Sequence, residues 1–140
     1  MIVLDASIAA KLYRNEPGSS EALKLIADRS GQIFAPDIFA VEVAGVIVRD
    51  ANGDKPGIAL QREKLEHFAD LLAGPALHLV RLQPEEIVMA ADLAIQIGHP
   101  LKDCLYLALA MDRNCPLVTA DARFAAKARN IWDKVQVLNE

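Results

Sequence analysis

The sequence predicts a three-layer α/β/α sandwich on a short parallel sheet, and three observations carry that prediction. Short aliphatic runs alternate with longer stretches of helical periodicity along the chain, and strands separated by helices pair in parallel through right-handed crossovers. Hydrophobic residues make up 53% of the chain but aromatics only 5%, the aliphatic, alanine-rich balance of helices packed on a sheet. With 140 residues the chain can bury one respectable core, so residues 1–140 are expected to form a single domain.

Each element has its own signal. Ile2 to Leu4 reads as a short buried strand, followed by helical patterning through Tyr13. After the Glu16-Pro-Gly turn a helix runs from about Ser19 to Ala27, with Ser19 or Ser20 as its expected cap. Gln32 to Phe34 is a weak strand. Pro36 suits a first helical position, and the helix it opens is apolar almost all the way round to Val48, which predicts burial on more than one side. Asn52 to Gly57 is the long turn-rich segment and reads as an exposed loop between helices. A helix from Ile58 to Leu72, a strand from Leu77 to Leu82 and a helix from Pro84 to Ile97 follow. Glu85, Asp92 and Gln96 form the polar stripe of that last helix, so Asp92 is read as a solvated acid. A helix from Leu101 to Met111, a strand from Leu117 to Thr119, a helix from Ala122 to Ala128 and a closing strand from Val135 to Leu138 complete the chain.

Composition narrows the functional class. A net charge of −4 argues against holding nucleic acid through bulk positive charge, so a phosphate substrate needs a local cation. Cys104 and Cys115 lie in apolar context at a spacing that suits neither a zinc site nor a disulfide framework, and both read as small buried hydrophobes in a reducing compartment. Met1 leads directly into a strand-like run, and no apolar run approaches the ~18 residues of a membrane helix. A cytoplasmic protein without membrane association is expected.

Four acids are the most informative side chains. Asp5 ends an aliphatic strand, Glu42 interrupts an apolar helix, Asp103 opens Cys-Leu-Tyr-Leu-Ala-Leu-Ala, and Asp121 follows Leu-Val-Thr-Ala. An ionised carboxylate in apolar surroundings needs a cation or a donor network, or its pKa rises. Glu42 has only Ile38, Phe39, Gly45 and Val46 at helical spacing, so local sequence offers it no partner. In a parallel sheet Asp5 and Asp121 emerge together at the carboxyl edge, where open α/β sheets place their ligand sites, and helices can deliver Glu42 and Asp103 there. Singly, each acid has a structural reading, as a cap, a helix-start residue or the partner of a distant arginine. Together they do not, because two carboxylates ~4 Å apart repel by about 4 kcal/mol at an effective dielectric of 20. A divalent cation such as Mg²⁺ or Mn²⁺ suits oxygen-only ligands.

The stretches Val3-Leu-Asp5-Ala-Ser7-Ile-Ala-Ala-Lys11-Leu, Pro36-Asp-Ile-Phe-Ala-Val-Glu42-Val, His99-Pro-Leu-Lys-Asp103-Cys-Leu-Tyr and Leu117-Val-Thr119-Ala-Asp121-Ala-Arg-Phe resemble PIN-domain ribonucleases, specifically the VapC-type toxins of bacterial and archaeal toxin-antitoxin pairs. The resemblance spans essentially the whole chain and agrees in the order, spacing and context of all four acids. It implies a metal-dependent endoribonuclease toxin neutralised by a small antitoxin. Asp5, Glu42 and Asp103 would form the metal site, with Asp121 joining directly or through water. Ser7 and Thr119 would orient the carboxylates through their hydroxyls. A divalent ion so held polarises a phosphodiester and acidifies a water, so no side-chain nucleophile is required. A homodimer is expected, partly from the resemblance and partly because the nearly all-round apolar helix from Pro36 to Val48 and exposed apolar residues on the Ile58 to Leu72 helix need more cover than one small sheet provides.

Other residues near the acids carry double readings. His99, one turn before Asp103, is a base or ligand candidate, but a helix-start histidine contacting a nearby carboxylate is the better reading. Lys11, Arg14 and Lys102 read equally as RNA-phosphate contacts and as balance for the acids. Two rival functions share the pocket: a metal-dependent DNA nuclease or phosphatase, and a catalytically silent module that binds RNA or protein. Four mutually repelling carboxylates argue against silence. A phospho-acceptor receiver needs paired acids after its first strand and a lysine after a late one, and this chain has neither.

Overall fold

A computed structural model describes residues 1–53 and 57–139. Its strands are β1 (Ile2–Leu4), β2 (Ile33–Pro36), β3 (Leu77–Val80), β4 (Leu117–Thr119) and β5 (Val135–Val137). Its helices are α1 (Ala6–Ala10), α2 (Ser19–Asp28), α3 (Ile38–Asn52), α4 (Ile58–Ala73), α5 (Pro84–Ile97), α6 (Leu101–Asp112) and α7 (Ala122–Ala128). The strands form one five-stranded sheet in the order β3-β2-β1-β4-β5, and every pairing is parallel. The expected α/β/α architecture with a short parallel sheet is therefore the observed one.

The strand order decides where a ligand can sit. From β1 the chain moves outward through β2 to β3, then returns to the other side of β1 for β4 and β5. Right-handed crossovers put the two sets of connecting helices on opposite faces, so the chain reverses direction between β1 and β4. The crevice at such a reversal opens beyond the carboxyl ends of the strands. Asp5 directly follows β1, and Asp121 lies two residues past β4.

Burial explains the pattern of each element. Ile2, Val3 and Leu4 are all buried in the central strand, as are Leu117, Val118 and Thr119 beside it. The edge strands β3 and β5 bury only Leu77 and Val135. Helix α6 buries every residue from Cys104 to Ala110, because it contacts β1, β2 and β4 and also packs against α5. Both cysteines are free and buried, and burial pushes the Cys104 thiol up to about 11. Among the described residues no helix is long and apolar enough to cross a membrane.

Four sequence expectations are corrected. Helix α1 ends at Ala10, and the helical pattern continues to Tyr13 only as successive i→i−3 bonds from Lys11, Leu12 and Tyr13. Neither serine caps α2. Gly18 does, at φ 91°, while the Ser19 hydroxyl donates to Arg14 O and accepts the Glu16 N–H, tying down the preceding turn. Pro36 ends β2 rather than opening α3. The neighbouring Asp37 N–H bonds Val80 O on the β3 side, so the N–H that proline lacks would face past the end of β1. Helix α3 buries only Phe39, Val43, Ile47 and Asp50 and leaves Val41 72% exposed; α6 is the helix enclosed on all sides. The centre of the expected Asn52–Gly57 loop, residues 54–56, lies outside the described residues.

Candidate metal and nuclease site

Asp5, Glu42, Asp103 and Asp121 all line one cavity of about 380 Å³, together with Ser7, Arg49 and Lys102. The fold brings them there by a single rule. Helices that run antiparallel to the strands begin at the carboxyl edge, so Glu42 near the start of α3 and Asp103 in the first turn of α6 meet the two aspartates that follow β1 and β4. The larger hollow of about 480 Å³ lies elsewhere, around Lys11, Tyr13, Arg14, Lys64 and His67. Its cations are engaged: Lys11 with Glu16, Arg14 with Asp50 through two hydrogen bonds, and Lys64 with Tyr13 O. Of the three cations read near the acids, Lys102 alone lines the acidic cavity.

Asp5 is the best-held acid. It is 4% exposed, and its Oδ2 accepts from Thr119 Oγ1 at 2.6 Å and from Ser7 Oγ at 2.7 Å. Burial raises its pKa, the two hydroxyls oppose the rise, and the charge of Asp103 adds to it. Among the described residues, hydroxyls rather than a cation oppose the rise. Glu42 is also raised, first by burial and then by Asp5 and Asp103, while Lys102 counteracts. Its Oε1 accepts a 3.3 Å hydrogen bond from the Tyr106 hydroxyl, a contact the sequence reading missed. The only signal was a tyrosine one turn after Asp103 on an otherwise aliphatic helix.

Asp121 has two tasks. It caps α7 by accepting the Phe124 N–H at 2.9 Å, and its own N–H donates to Thr119 Oγ1 at 3.1 Å. Thr119 thus ties the end of β4 to both flanking aspartates. Ser7 Oγ also accepts the Ala120 N–H at 3.0 Å. His99 meets the helix-start expectation, with Nε2 2.5 Å from Asp103 Oδ2. Asp92 accepts a hydrogen bond from Gln96 Nε2 on the exposed face of α5.

The acids do not form one uniform ring. Ligand atoms of His99, Asp103 and Asp121 lie within 4.8 Å of one another, while the charge of Asp103 raises the pKa of both Asp5 and Glu42. The donor set is dominated by carboxylate oxygens, two of them on acids with raised pKa, in a hollow open enough to admit a ligand. Such a set fits a hard divalent cation.

A family model for the PIN domain matches residues 2–130. The chain belongs to the PIN-domain family. Ribonuclease VapC12 of Mycobacterium tuberculosis is 31% identical over 129 residues, covering 89% of this chain and 90% of the relative. Among solved structures, VapC20 of Mycobacterium tuberculosis, described as a sarcin-ricin-loop-cleaving toxin, superposes with a TM-score of 0.72 at 14% identity, covering 90% of this chain and 94% of the other. A toxin-antitoxin complex from Klebsiella pneumoniae gives a TM-score of 0.69 at 15% identity over 100% of this chain and 99% of the other. FitAcB from Neisseria gonorrhoeae gives 0.63 at 18% identity over 99% and 97%. At these identities the structural likeness is one of fold, and it is the PIN fold.

Proposed function

We propose that this PIN domain is an endoribonuclease acting as the cytoplasmic toxin of a toxin-antitoxin pair, hydrolysing RNA phosphodiesters with Mg²⁺ or Mn²⁺ and working as a homodimer. The observation that carries this reading is the meeting of Asp5, Glu42, Asp103 and Asp121 in one cavity at the sheet's reversal point. The likeness to a VapC ribonuclease over most of the chain supports the substrate class.

In this reading Asp5, Glu42 and Asp103 hold the cation, and Asp121 joins them directly or through water. A divalent cation held by these residues would supply positive charge at the phosphodiester and a more acidic water. Thr119 and Ser7 fix the orientation of Asp5 by donating to the same oxygen, and both hydrogen bonds favour its ionised form against the effect of burial. Tyr106 steadies Glu42 from the enclosed helix α6. Lys102 and Arg49, on the cavity wall, offset the negative field against which a polyanion must approach.

The test is cleavage of total RNA by the purified chain with Mn²⁺, with Mg²⁺ and with a chelator, beside Asp5→Asn and Asp103→Asn. Metal-dependent cleavage lost in both variants, with unchanged circular dichroism, is expected. Cleavage that persists in the chelator or in both variants would overturn the metal-site reading, and activity confined to DNA or to phosphomonoesters would move the substrate class.

A further inference from the structure

We infer that the α3 wall of the acidic cavity is a nucleotide slot: the sugar and base next to the scissile phosphate lie against bare helix backbone at Gly45, and Arg49 clamps the phosphate on the far side of that nucleotide. This rests on the nuclease reading above and deepens it, since that reading gives Arg49 only a field effect and Gly45 no part. The substrate class it adds is RNA in unpaired form.

The glycine is the first observation. Gly45 stands in the middle of α3, where glycine is less favourable than alanine because it gives up more backbone freedom on folding. The chain's own packing does not ask for it. Gly45 is not among the positive-φ glycines, and a Cβ built on it would meet no atom within 4 Å. A side chain would stand in open space, and that space is the cavity, which Gly45 lines beside Glu42. Glycine serves where a ligand must approach the backbone closely.

The arginine is the second observation. Arg49, one further turn along α3, lines the same cavity and is exposed. Among the described residues no carboxylate pairs with it, whereas Lys11 is paired with Glu16 and Arg14 with Asp50. A cation near a helix C-terminus gains from the dipole, but that gain needs no place on a cavity wall. Two turns of helix separate Glu42 from Arg49, a rise of about 10 Å. A phosphate held at the acids therefore leaves Arg49 facing the next phosphate along the strand, with Gly45 between them. The planar guanidinium fork matches phosphate oxygens. Ile38 and Val46 give the slot apolar sides against which sugar and base can rest. A base seated there is withdrawn from its own stack, which unpaired RNA permits at least cost.

Binding is read by fluorescence anisotropy of a labelled unpaired oligoribonucleotide in a chelator, and turnover as separate kcat and KM with Mn²⁺. The proteins are the full chain, Gly45→Ala, Gly45→Leu, Arg49→Gln and Arg49→Lys. Gly45→Ala should melt about 2–4 °C higher, and Gly45→Leu should keep its circular dichroism. Both should nevertheless bind RNA more weakly and raise KM, by about tenfold or more for leucine, with kcat little changed. Arg49→Gln should raise KM about tenfold and lower the slope of log affinity against log salt by about 0.7, and Arg49→Lys should recover the slope. An unpaired strand should be bound and cut in preference to the same sequence in a hairpin stem. Affinity and KM indifferent to Gly45→Leu and Arg49→Gln, with cleavage intact, would overturn the slot and leave the nuclease standing. Binding that responds to both residues without any cleavage would overturn the nuclease reading and leave the slot. A Gly45→Leu protein whose light-scattering mass changes while its RNA affinity does not would assign Gly45 to a contact between copies and overturn the slot. Absence of both binding and cleavage in the unsubstituted protein would overturn both.

Discussion

Thr119 Oγ1 donates to Asp5 Oδ2 at 2.6 Å across the β1–β4 boundary, so the acid that ends one central strand is oriented by the last residue of its neighbour. The same hydroxyl accepts the Asp121 N–H. One buried side chain therefore aligns two of the four acids.

Thr119→Val keeps the shape and removes these two hydrogen bonds together with the 3.3 Å contact to Ser7 Oγ. Ser7 remains on Asp5 but works alone. Mn²⁺ affinity should fall about 10- to 100-fold, and the fold should lose about 1–3 kcal/mol through the unsatisfied polar groups left behind. Thr119→Ser should restore most of the affinity. Calorimetric titration of the three proteins checks this, and equal affinity in the valine variant would remove Thr119 from any orienting role.

Glu42 makes the metal-free protein pH-sensitive in a predictable direction. Its folded pKa is raised above the ordinary 4.5, first by burial and then by Asp5 and Asp103. The folded state thus holds this proton more tightly than the unfolded chain, so the contribution is fully present below 4.5 and is lost as pH rises through the raised folded value. Glu42→Gln imitates the protonated form. In a chelator its melting temperature should exceed that of the unsubstituted protein near pH 8, and the gap should close toward about pH 4. A variant that melts lower at every pH would show that Glu42 is satisfied by its neighbours instead.

The sheet and the gathering of acids were legible because both follow from short-range rules. Aliphatic triplets separated by helices force parallel pairing, and an acid directly after such a triplet emerges at the carboxyl edge. Helix ends were less legible. A serine looks like a cap until Gly18 takes the left-handed position one residue earlier, and Pro36 looks like a helix start until β3 supplies its strand pairing. Enclosure was assigned to α3 because both α3 and α6 are apolar all round, and only the packing of α6 between the sheet and α5 distinguishes them. Tyr106 and the stacking of His99 on Phe124 are long-range contacts that no local spacing encodes.

A homodimer, as proposed, would use exposed apolar side chains that the single chain leaves uncovered. Val41 on α3 is 72% exposed and Ile95 on α5 is 81% exposed, and large apolar side chains so placed are candidates for a subunit contact. Light scattering at micromolar concentration should give twice the 15.2 kDa chain mass. Val41→Glu or Ile95→Glu should shift the protein toward monomer with its circular dichroism unchanged. A monomer before substitution would exclude the dimer, and a dimer indifferent to both substitutions would place its interface on other faces.

The antitoxin should inhibit by offering a cation to the same acids. The cavity's negative field lowers the cost of burying an arginine or lysine there, and Lys102 already counteracts the raised pKa of Glu42. A protein segment that cannot be cleaved, laid along an apolar groove with one basic side chain inserted among Asp5, Glu42 and Asp103, would compete with both metal and RNA. Expression of the chain alone should arrest growth, and co-expression with the neighbouring antitoxin gene should relieve the arrest. An antitoxin whose tail lacks its basic residues should still bind, because the apolar contacts remain, yet inhibit purified cleavage less. Its inhibition should also yield to added Mn²⁺ sooner than that of the intact antitoxin, since direct competition for the carboxylates is lost. Full inhibition by the altered tail, insensitive to Mn²⁺, would rule out the inserted cation and leave steric coverage of the cleft as the means of control.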